Sequence, residues 1–547
     1  MERKPLILPE HQSVSLWFSV EFLFYYIWVG SVAVYGLYRA WLHSRSSSEA
    51  YHIYSWRLSP GWIRLPFLSS ELLEVDTSDH QWNSFRSSLS QILLLFTIFL
   101  VASFVLKQFE RRQINWKLRS FLAVFFLILL HGYRALYILF FVLSSYSISF
   151  IFKGSWLNPW LSWSHAIILL LGMEYISYQP FFSRLGLFEG YFPRWDIIYK
   201  MSLLRLLSYN LDLFYFCRQR LAKSEELPTS KDAEEVCRGC QAPECPTCDR
   251  QRIALPLNGV DYAIAPFLVY VLYLPLYLAG PIMTYNDFIR QSRKPLNLFF
   301  RSKLFYGLRL LLSFLTLELL LHLFHPVAIK DTQAWVSHTP GDLLILAYLN
   351  LKVVWLKLLI IWRFFRFVAL LDGIQTMENM GRCISTATST LGFWRAWHRS
   401  FNRWLVRYLY IPLGGRAYSY LSIWVIFTFV ALWHDIKPHL LAWSWLICLA
   451  FLPEILLSLL SRKLKWEKLF YYRHLLAAGA ASNMFVLSLA NAVGFVFGGD
   501  LLILVSFFKS FKGILTLLMM AITMFAAAQL ALEVRATERR HGIFLNY

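Results

Sequence analysis

The chain has 547 residues, 57% of them hydrophobic and 18% aromatic, and only 16% charged, where soluble domains carry roughly 25% charge. Apolar runs of about 20 residues recur along its length, each long enough to cross a bilayer, which excludes a soluble enzyme built round one large core. The net charge of +20 gathers in short loops between the runs, as the positive-inside rule requires, so nucleic acid is not the expected partner.

Arg3 and Lys4 precede a first span from about Leu16 to Tyr38, too long for a cleaved signal core. A loop from about Arg39 to Gln91 and a short second span, about Ile92 to Leu106, come next. The connector KQFERRQINWKLR follows, and its basic residues Lys107, Arg111, Arg112, Lys117 and Arg119 place it in the cytosol. By alternation the N-terminus is cytosolic and the long loop luminal. Spans from about Phe121 to Ile148 and from Leu157 to Ile176 return the chain to the cytosolic side. Arg194, Asp196, Arg205, Tyr209 and Asp212 then punctuate an amphipathic stretch that reads as a helix lying in the cytosolic interface. Its charges either solvate one face or serve a cofactor.

Residues 217–258 are hydrophilic and form the one sizeable soluble loop, a cytosolic insert. Cys237, Cys240, Cys245 and Cys248 make two C-x-x-C pairs within it, candidate thiolate ligands for a structural zinc. A reduced, partly disordered loop and lipidated thiols are the alternatives. The apolar segment from Tyr262 to Met283 contains Pro266, Pro275, Gly280 and Pro281 between two basic flanks, which fits a re-entrant hairpin better than a straight crossing. Spans near Leu304 to Phe324 and Leu343 to Trp362 follow. Glu318 and His322 share a helical face inside the first and read as a satisfied structural pair rather than as catalysts. The remaining spans run from about Tyr420 to Trp433, Leu440 to Leu460, Leu475 to Val496 and Leu501 to Ala531. The expected fold is an all-α polytopic membrane domain occupying 1–547, with about ten transmembrane helices plus re-entrant segments, both ends in the cytosol and no internal repeat.

A cytosolic, arginine-rich region at 363–418 holds the chemistry. Arginines 363, 366, 382, 395, 399, 403, 407 and 416 face two acids, Asp372 and Glu378. Arg395, Arg399, Arg403 and Arg407 recur every four residues and on one helix form a slowly drifting stripe. Trp394, His398 and Asn402 share a second face, and Trp397, Phe401, Trp404 and Tyr408 a third. Pro412 and Gly414-Gly415 end the helix. Such a stripe, free of lysine, suits the phosphates of a coenzyme A thioester through fork-like hydrogen bonds; ordinary positive-inside bias with anionic lipid contact is the alternative. His434 closes a later apolar span as Trp433-His434-Asp435. A histidine beside a carboxylate, with a second histidine approached by the same hairpin, is a candidate proton acceptor for a hydroxyl. There is no G-x-S-x-G elbow, Walker loop or H-E-x-x-H motif, and neither Cys383 nor Cys448 has the setting of a nucleophile. A direct two-substrate transfer with histidine as base suits these residues.

The segments FPRWD, LLSYNLD, LAGPIMTYNDFIRQS, WLKLLIIWRFFRFVALLDGIQTMENMGRC, FWRAWHRSFNRWLVRYLYIPLGG, ALWHDI and ERRHGIFL, spanning about Phe192 to Leu545, closely resemble the membrane-bound O-acyltransferase superfamily. Within it the likeness is to the fungal glycerol-uptake-protein branch, relatives of Hedgehog acyltransferase. The resemblance implies helices around a transverse tunnel, entered by acyl-CoA from the cytosol and by an acceptor from the lumen, with no cofactor for catalysis. It puts the signature histidine at His434 and the second signature residue at His398, where Hedgehog-type enzymes have aspartate. It further implies transfer of a long fatty acyl chain from acyl-CoA to a lysolipid hydroxyl in glycosylphosphatidylinositol (GPI) anchor remodelling, in the endoplasmic reticulum membrane, with the plasma membrane as a further location. On this reading His434 is the base, His398 with Asn402 orients the thioester or relays a proton deeper in the tunnel, Trp394 and Asp435 support them, and Arg395, Arg399 and Arg403 hold the coenzyme A phosphates. A proton-coupled glycerol or polyol transporter, a regulator of glycerol uptake, and a protein N- or O-acyltransferase are the competing functions.

Overall fold

The computed structural model describes residues 15–64, 72–110, 114–177, 188–192, 194–222, 252–253, 257–296, 299–335, 337–415, 417–496 and 509–543. The insert cysteines Cys237, Cys240, Cys245 and Cys248 lie outside these residues. Among the described residues no His, Cys, Asp and Glu cluster suited to a metal ion occurs.

The first half of the chain forms α1 (Val20–His43), α2 (His80–Ser87), α3 (Leu89–Phe109), α4 (Trp116–His131), α5 (Ala135–Phe152), α6 (Leu157–Ser177) and α7 (Trp195–Ala222). Then come the short α8 (Ile264–Val271), α9 (Leu274–Leu278) and α10 (Tyr285–Arg293), followed by the long α11 (Phe300–Leu323) and α12 (Pro340–Leu371). The second half gives α13 (Thr390–Ala396), α14 (Arg399–Leu405), α15 (Ser419–His434), α16 (Pro438–Lys463), α17 (Tyr472–Phe495) and α18 (Phe511–Arg540). Eight helical stretches among the described residues are long and apolar enough to cross a membrane, and α15 is a shorter apolar helix. Leu23, Ile27 and Val34 on α1, Leu311 and Leu312 on α11, and Leu515 and Leu518 on α18 remain exposed; such an apolar belt belongs against lipid.

The loop expected from Arg39 to Gln91 is more ordered than its composition implies. Strands β1 (Leu58–Pro60) and β2 (Glu74–Asp76) pair antiparallel there, with Ser59 opposite Val75. Asp76, 1% exposed, accepts from the backbone amides of Val327 and Ala328, each at 2.9 Å, and so fastens this sheet to the turn after α11. Glu318 and His322 are a structural pair: Glu318 accepts from the indoles of Trp62 and Trp82, each at 3.1 Å, and the His322 Nδ1 lies 2.7 Å from the Glu318 carbonyl.

Three expectations need correction. The span from Phe121 to Ile148 is present as one apolar stretch, Trp116–Phe152, but it is broken into α4 and α5 rather than one straight helix, because Gly132 takes φ +55° while Tyr133 donates to the Phe188 carbonyl at 3.0 Å. The interfacial amphipathic helix is a core helix: every residue of α7 from Ser202 to Phe214 is buried, with α5, α6, α8, α9 and α10 packed around it. Its polar groups are spread round the axis and most are satisfied internally. Tyr209 donates to the Tyr262 carbonyl at 2.6 Å, and Asn210 donates to the hydroxyls of Ser145 and Ser162. Asp212 accepts from Arg407 at 2.9 Å and from Tyr408 at 3.0 Å. Arg194 and Asp196, paired at 2.9 Å at its start, and the exposed Arg218 and Arg220 at its end behave as surface charges. The third correction concerns the arginine helix. It is broken at Trp397-His398 into α13 and α14, so Arg395 and Arg399 do not continue one stripe.

The segment from Tyr262 to Met283 is broken backbone at the centre of the fold, as its prolines require. α8 packs on α4, and α9 packs on α7 and α12; Phe267, Tyr270, Leu276 and Tyr277 are all at most 1% exposed.

Candidate active site

His398 stands at the junction of α13 and α14 with φ 44° and ψ 51°, the left-handed region that costs a non-glycine residue about 1–2 kcal/mol. Its neighbours hold it there. Arg399 donates its amide to the Asn379 carbonyl at 3.0 Å, Ser400 donates to the Asn379 Oδ1 at 3.2 Å, and the Ser400 hydroxyl accepts from the Ile282 amide at 2.9 Å. The His398 ring, 6% exposed, is clasped by aromatic faces, with centroids 4.3 Å from Trp362, 5.2 Å from Phe401 and 6.3 Å from Trp433. Its Nε2 is buried without a partner, and so are the Trp394 Nε1 and the Asn379 Nδ2. Buried polar groups are normally paired, so three orphaned nitrogens in one region mark a place kept ready for something polar.

His434 ends α15. Its ring centroid lies 4.9 Å from Trp433 and 6.2 Å from Trp443. The two imidazoles therefore meet the same indole, that of Trp433. His434 is exposed, whereas Trp433 and Trp443 are 7% and 2% exposed, so it faces open space between buried indoles. α7 fixes the end of α15 from the other side: the Trp433 Nε1 donates to the Lys200 carbonyl, and the Lys200 ammonium donates to the His434 carbonyl, both at 2.9 Å. Asp435 extends this cluster, 3.0 Å from Lys437 and 3.9 Å from Lys200. Burial acts to raise the Asp435 carboxyl, but its hydrogen bond to Lys437 and the Lys200 charge hold it below the usual carboxylate range.

Asn402 is half-buried one turn into α14, and its backbone N–H donates to the His398 carbonyl at 3.0 Å. Trp394 packs edge-on against Phe427 and Trp443, on the His434 side. Other described arginines of the region are drawn into the fold by acids, by Glu378 within the region and by two from distant segments. Arg363 and Arg366 pair with Glu378 at 2.9 and 3.4 Å, Arg382 pairs with Glu538, and Arg407 pairs with Asp212. Arg395 is exposed on α13, while Arg399 and Arg403 are half-buried on α14. Lys200, Trp362, Asn379 and Ser400 escaped sequence reasoning. A lysine in α7 reads as a solvated charge, and the other three act only through the bend at His398, which no spacing announces.

The membrane-bound O-acyltransferase family model, MBOAT, matches residues 148–495, a range that contains both histidines and every helix around them. The chain belongs to the membrane-bound O-acyltransferase family. It is similar to the membrane-bound O-acyltransferase gup1 of Schizosaccharomyces pombe, 35% identical over 96% of this chain and 90% of that protein. It is also similar to the membrane-bound O-acyltransferase GUP1 of Saccharomyces cerevisiae, 36% identical over 97% of this chain and 94% of that protein. A shorter likeness, 31% identity over 34% of this chain and 39% of the relative, extends to the protein-cysteine N-palmitoyltransferase HHAT of Mus musculus. Membership of this acyltransferase family and the eight apolar stretches make the chain a multi-pass membrane acyltransferase.

Proposed function

We propose that the protein transfers a long fatty acyl chain from acyl-CoA to the hydroxyl of a lysolipid, in the remodelling of GPI-anchor lipids at the endoplasmic reticulum membrane. The observation that supports this best is the pair of imidazoles on one indole, His398 enclosed and His434 open, inside an acyltransferase fold.

In this reading the neutral His434 ring accepts the acceptor hydroxyl's proton as the oxygen attacks the thioester carbonyl. The carbon–sulfur bond then breaks, and the imidazolium returns the proton to the departing thiolate, so no covalent enzyme intermediate is needed. The Lys200 contact and Asp435 steady the end of α15 during the proton's stay. His398, with Asn402, orients the thioester from the enclosed side, and Arg395, Arg399 and Arg403 take the coenzyme A phosphates. Trp362, Trp394, Trp433 and Trp443 keep water from the thioester. A membrane site suits the donor, because an acyl chain gains about 0.8 kcal/mol per buried methylene and a chain of some 16 carbons resists leaving the bilayer by roughly 12 kcal/mol.

The test is transfer of labelled palmitate from palmitoyl-CoA to a lysophosphatidylinositol acceptor by the purified protein. His434→Ala should lower the rate by about 10²–10⁴-fold, the usual contribution of a general base; transfer at the wild-type rate would sink the reading. Proteoliposomes without acyl donor should take up no labelled glycerol. Acyl product on peptide rather than lipid would move the activity to protein acylation.

A further inference from the structure

α7 carries a second polar group that the acyl-transfer chemistry does not use. Arg205 is 1% exposed, and one of its nitrogens, Nη1, donates to the Val271 carbonyl at 2.9 Å, where α8 ends. Its Nε and Nη2 are buried with no partner. The hydroxyls of Ser202 and Tyr199, three and six residues earlier on the same helix, are likewise buried and unpartnered. Among the described residues no carboxylate forms an ion pair with Arg205, although Asp212, seven residues on, has both Arg407 and Tyr408. A cation buried without an anion is strongly disfavoured, and two hydroxyls beside it are left unmet as well.

The unpartnered atoms have a shape. Nε and Nη2 form one edge of the planar guanidinium, with two parallel N–H bonds spaced for two oxygens of a single oxyanion. Residues three apart on a helix lie on neighbouring rows, so Ser202 sits one row from Arg205 and Tyr199 one row further, each with its buried hydroxyl unmet. The helix that carries the site also reaches the histidine region: Lys200 holds the His434 carbonyl, and the Leu204 carbonyl accepts from Trp404 at 2.9 Å. At 1.5 Å per residue, Arg205 lies about 7.5 Å along α7 from Lys200.

We propose that the Nε–Nη2 edge of Arg205, with Ser202 and Tyr199, binds a phosphate-ester group of a substrate. The inference rests on the proposed reaction, in which both the lysolipid acceptor and the acyl-CoA donor carry such esters. A substrate without phosphate at this place would leave the guanidinium unmet, so the site selects for a phosphorylated substrate there.

The test uses the full-length protein in detergent, with lysophosphatidylinositol, monoacylglycerol and palmitoyl-CoA as probes. Arg205→Lys keeps the charge and loses the fork; Ser202→Ala removes one hydroxyl and leaves the fork. Arg205→Lys should raise KM about 10–100-fold for either the lysolipid or the acyl-CoA, and the substrate affected identifies the source of the phosphate. Ser202→Ala should raise the same KM by a smaller factor, about 3–10-fold. If the acceptor is the source, turnover of monoacylglycerol should be the same in wild type and variants. Direct binding of fluorescent lysolipid and of acyl-CoA separates the two levels of the claim. A wild-type protein that binds these ligands but transfers no acyl group overturns the proposed reaction alone. Folded variants, judged by an unchanged melting temperature, that bind both phosphate ligands as tightly as wild type overturn the Arg205 site. If Arg205→Lys fails to fold, wild-type binding by Ser202→Ala overturns it equally.

Discussion

The imidazole of His398 lies nearly parallel to the indole of Trp362, their planes 21° apart and their centroids 4.3 Å apart. Stacking fixes the plane of the ring without using either nitrogen, which leaves Nε2 free to meet a substrate. Trp362→Phe preserves an aromatic floor and should keep kcat within about 3-fold, since stacked aromatic pairs are worth about 0.5–1.5 kcal/mol. Trp362→Ala should lower kcat by more than tenfold and cost about 3–5 kcal/mol of stability as a core truncation. Equal kcat for Trp362→Ala and wild type, in an acyl-transfer assay, would show that the stack is irrelevant.

Asn379 does for α14 what its own first residue does not. His398 occupies the cap position with no side-chain cap bond, and Asn379 supplies both acceptors for the amides of Arg399 and Ser400. Loss of a cap costs about 1 kcal/mol. Asn379→Ala should therefore lower the melting temperature slightly and kcat more, with rescue by Asn379→Asp, which keeps the Oδ1 acceptor. A substitution that moves stability and leaves kcat intact would limit Asn379 to the fold.

Gly132 admits no side chain. A Cβ there would stand 1.9 Å from the Phe188 carbonyl oxygen, and its φ of +55° is strained for any other residue. Gly132→Ala should abolish accumulation of folded protein, measured by fluorescence-detected size exclusion. Gly30→Ala is the control: nothing lies within 4 Å of its Cβ, and replacing a glycine inside α1 should raise stability by up to about 1 kcal/mol.

Two histidines outside the spans make the fold sensitive to acid. Burial pushes His325 down to about 4 and His338 down to about 4. His325 has both ring nitrogens unpartnered, and His338 stacks on His43 at 3.9 Å. Unfolded, each returns to about 6.5, so between those values the unfolded chain binds more protons. Their contribution is complete above pH about 6.5 and is lost as the pH falls toward about 4, at about 3 kcal/mol for the fully buried His325. The melting temperature in detergent should fall over that range, and His325→Leu should flatten the fall. An identical slope in the variant would assign the acid sensitivity elsewhere.

What could be read from the sequence followed from local chemistry. Apolar length announces the spans, because a bilayer imposes one on every crossing helix. Pro275 and Gly280-Pro281 announce broken backbone before α10, and the histidines stand out because an ionisable group in an apolar setting needs a reason. Tertiary pairing was hidden. Arg382 and Arg407 look like part of one basic surface until Glu538 and Asp212, far away in the chain, arrive to meet them. Arg205 and Asp212 look alike on paper, yet one is paired and the other is not. The left-handed bend at His398 follows from anchors on Asn379 and Ile282, far away in the chain, so a four-residue spacing carried on across it.

The first and last helices meet. Glu533 of α18 accepts from the Leu16 amide at 3.2 Å, Thr537 accepts from the Trp17 indole at 2.8 Å, and Arg473 of α17 pairs with Glu21 at 2.5 Å. During synthesis α1 emerges some hundreds of residues before any of these partners exists. Glu21 and the polar edge of α1 must wait in the membrane for the ribosome to finish, and contacts this distant in sequence close late. Quality control thus has a simple criterion in this chain: a molecule whose α18 is missing or misplaced leaves the Leu16 amide and the Trp17 indole without their acceptors.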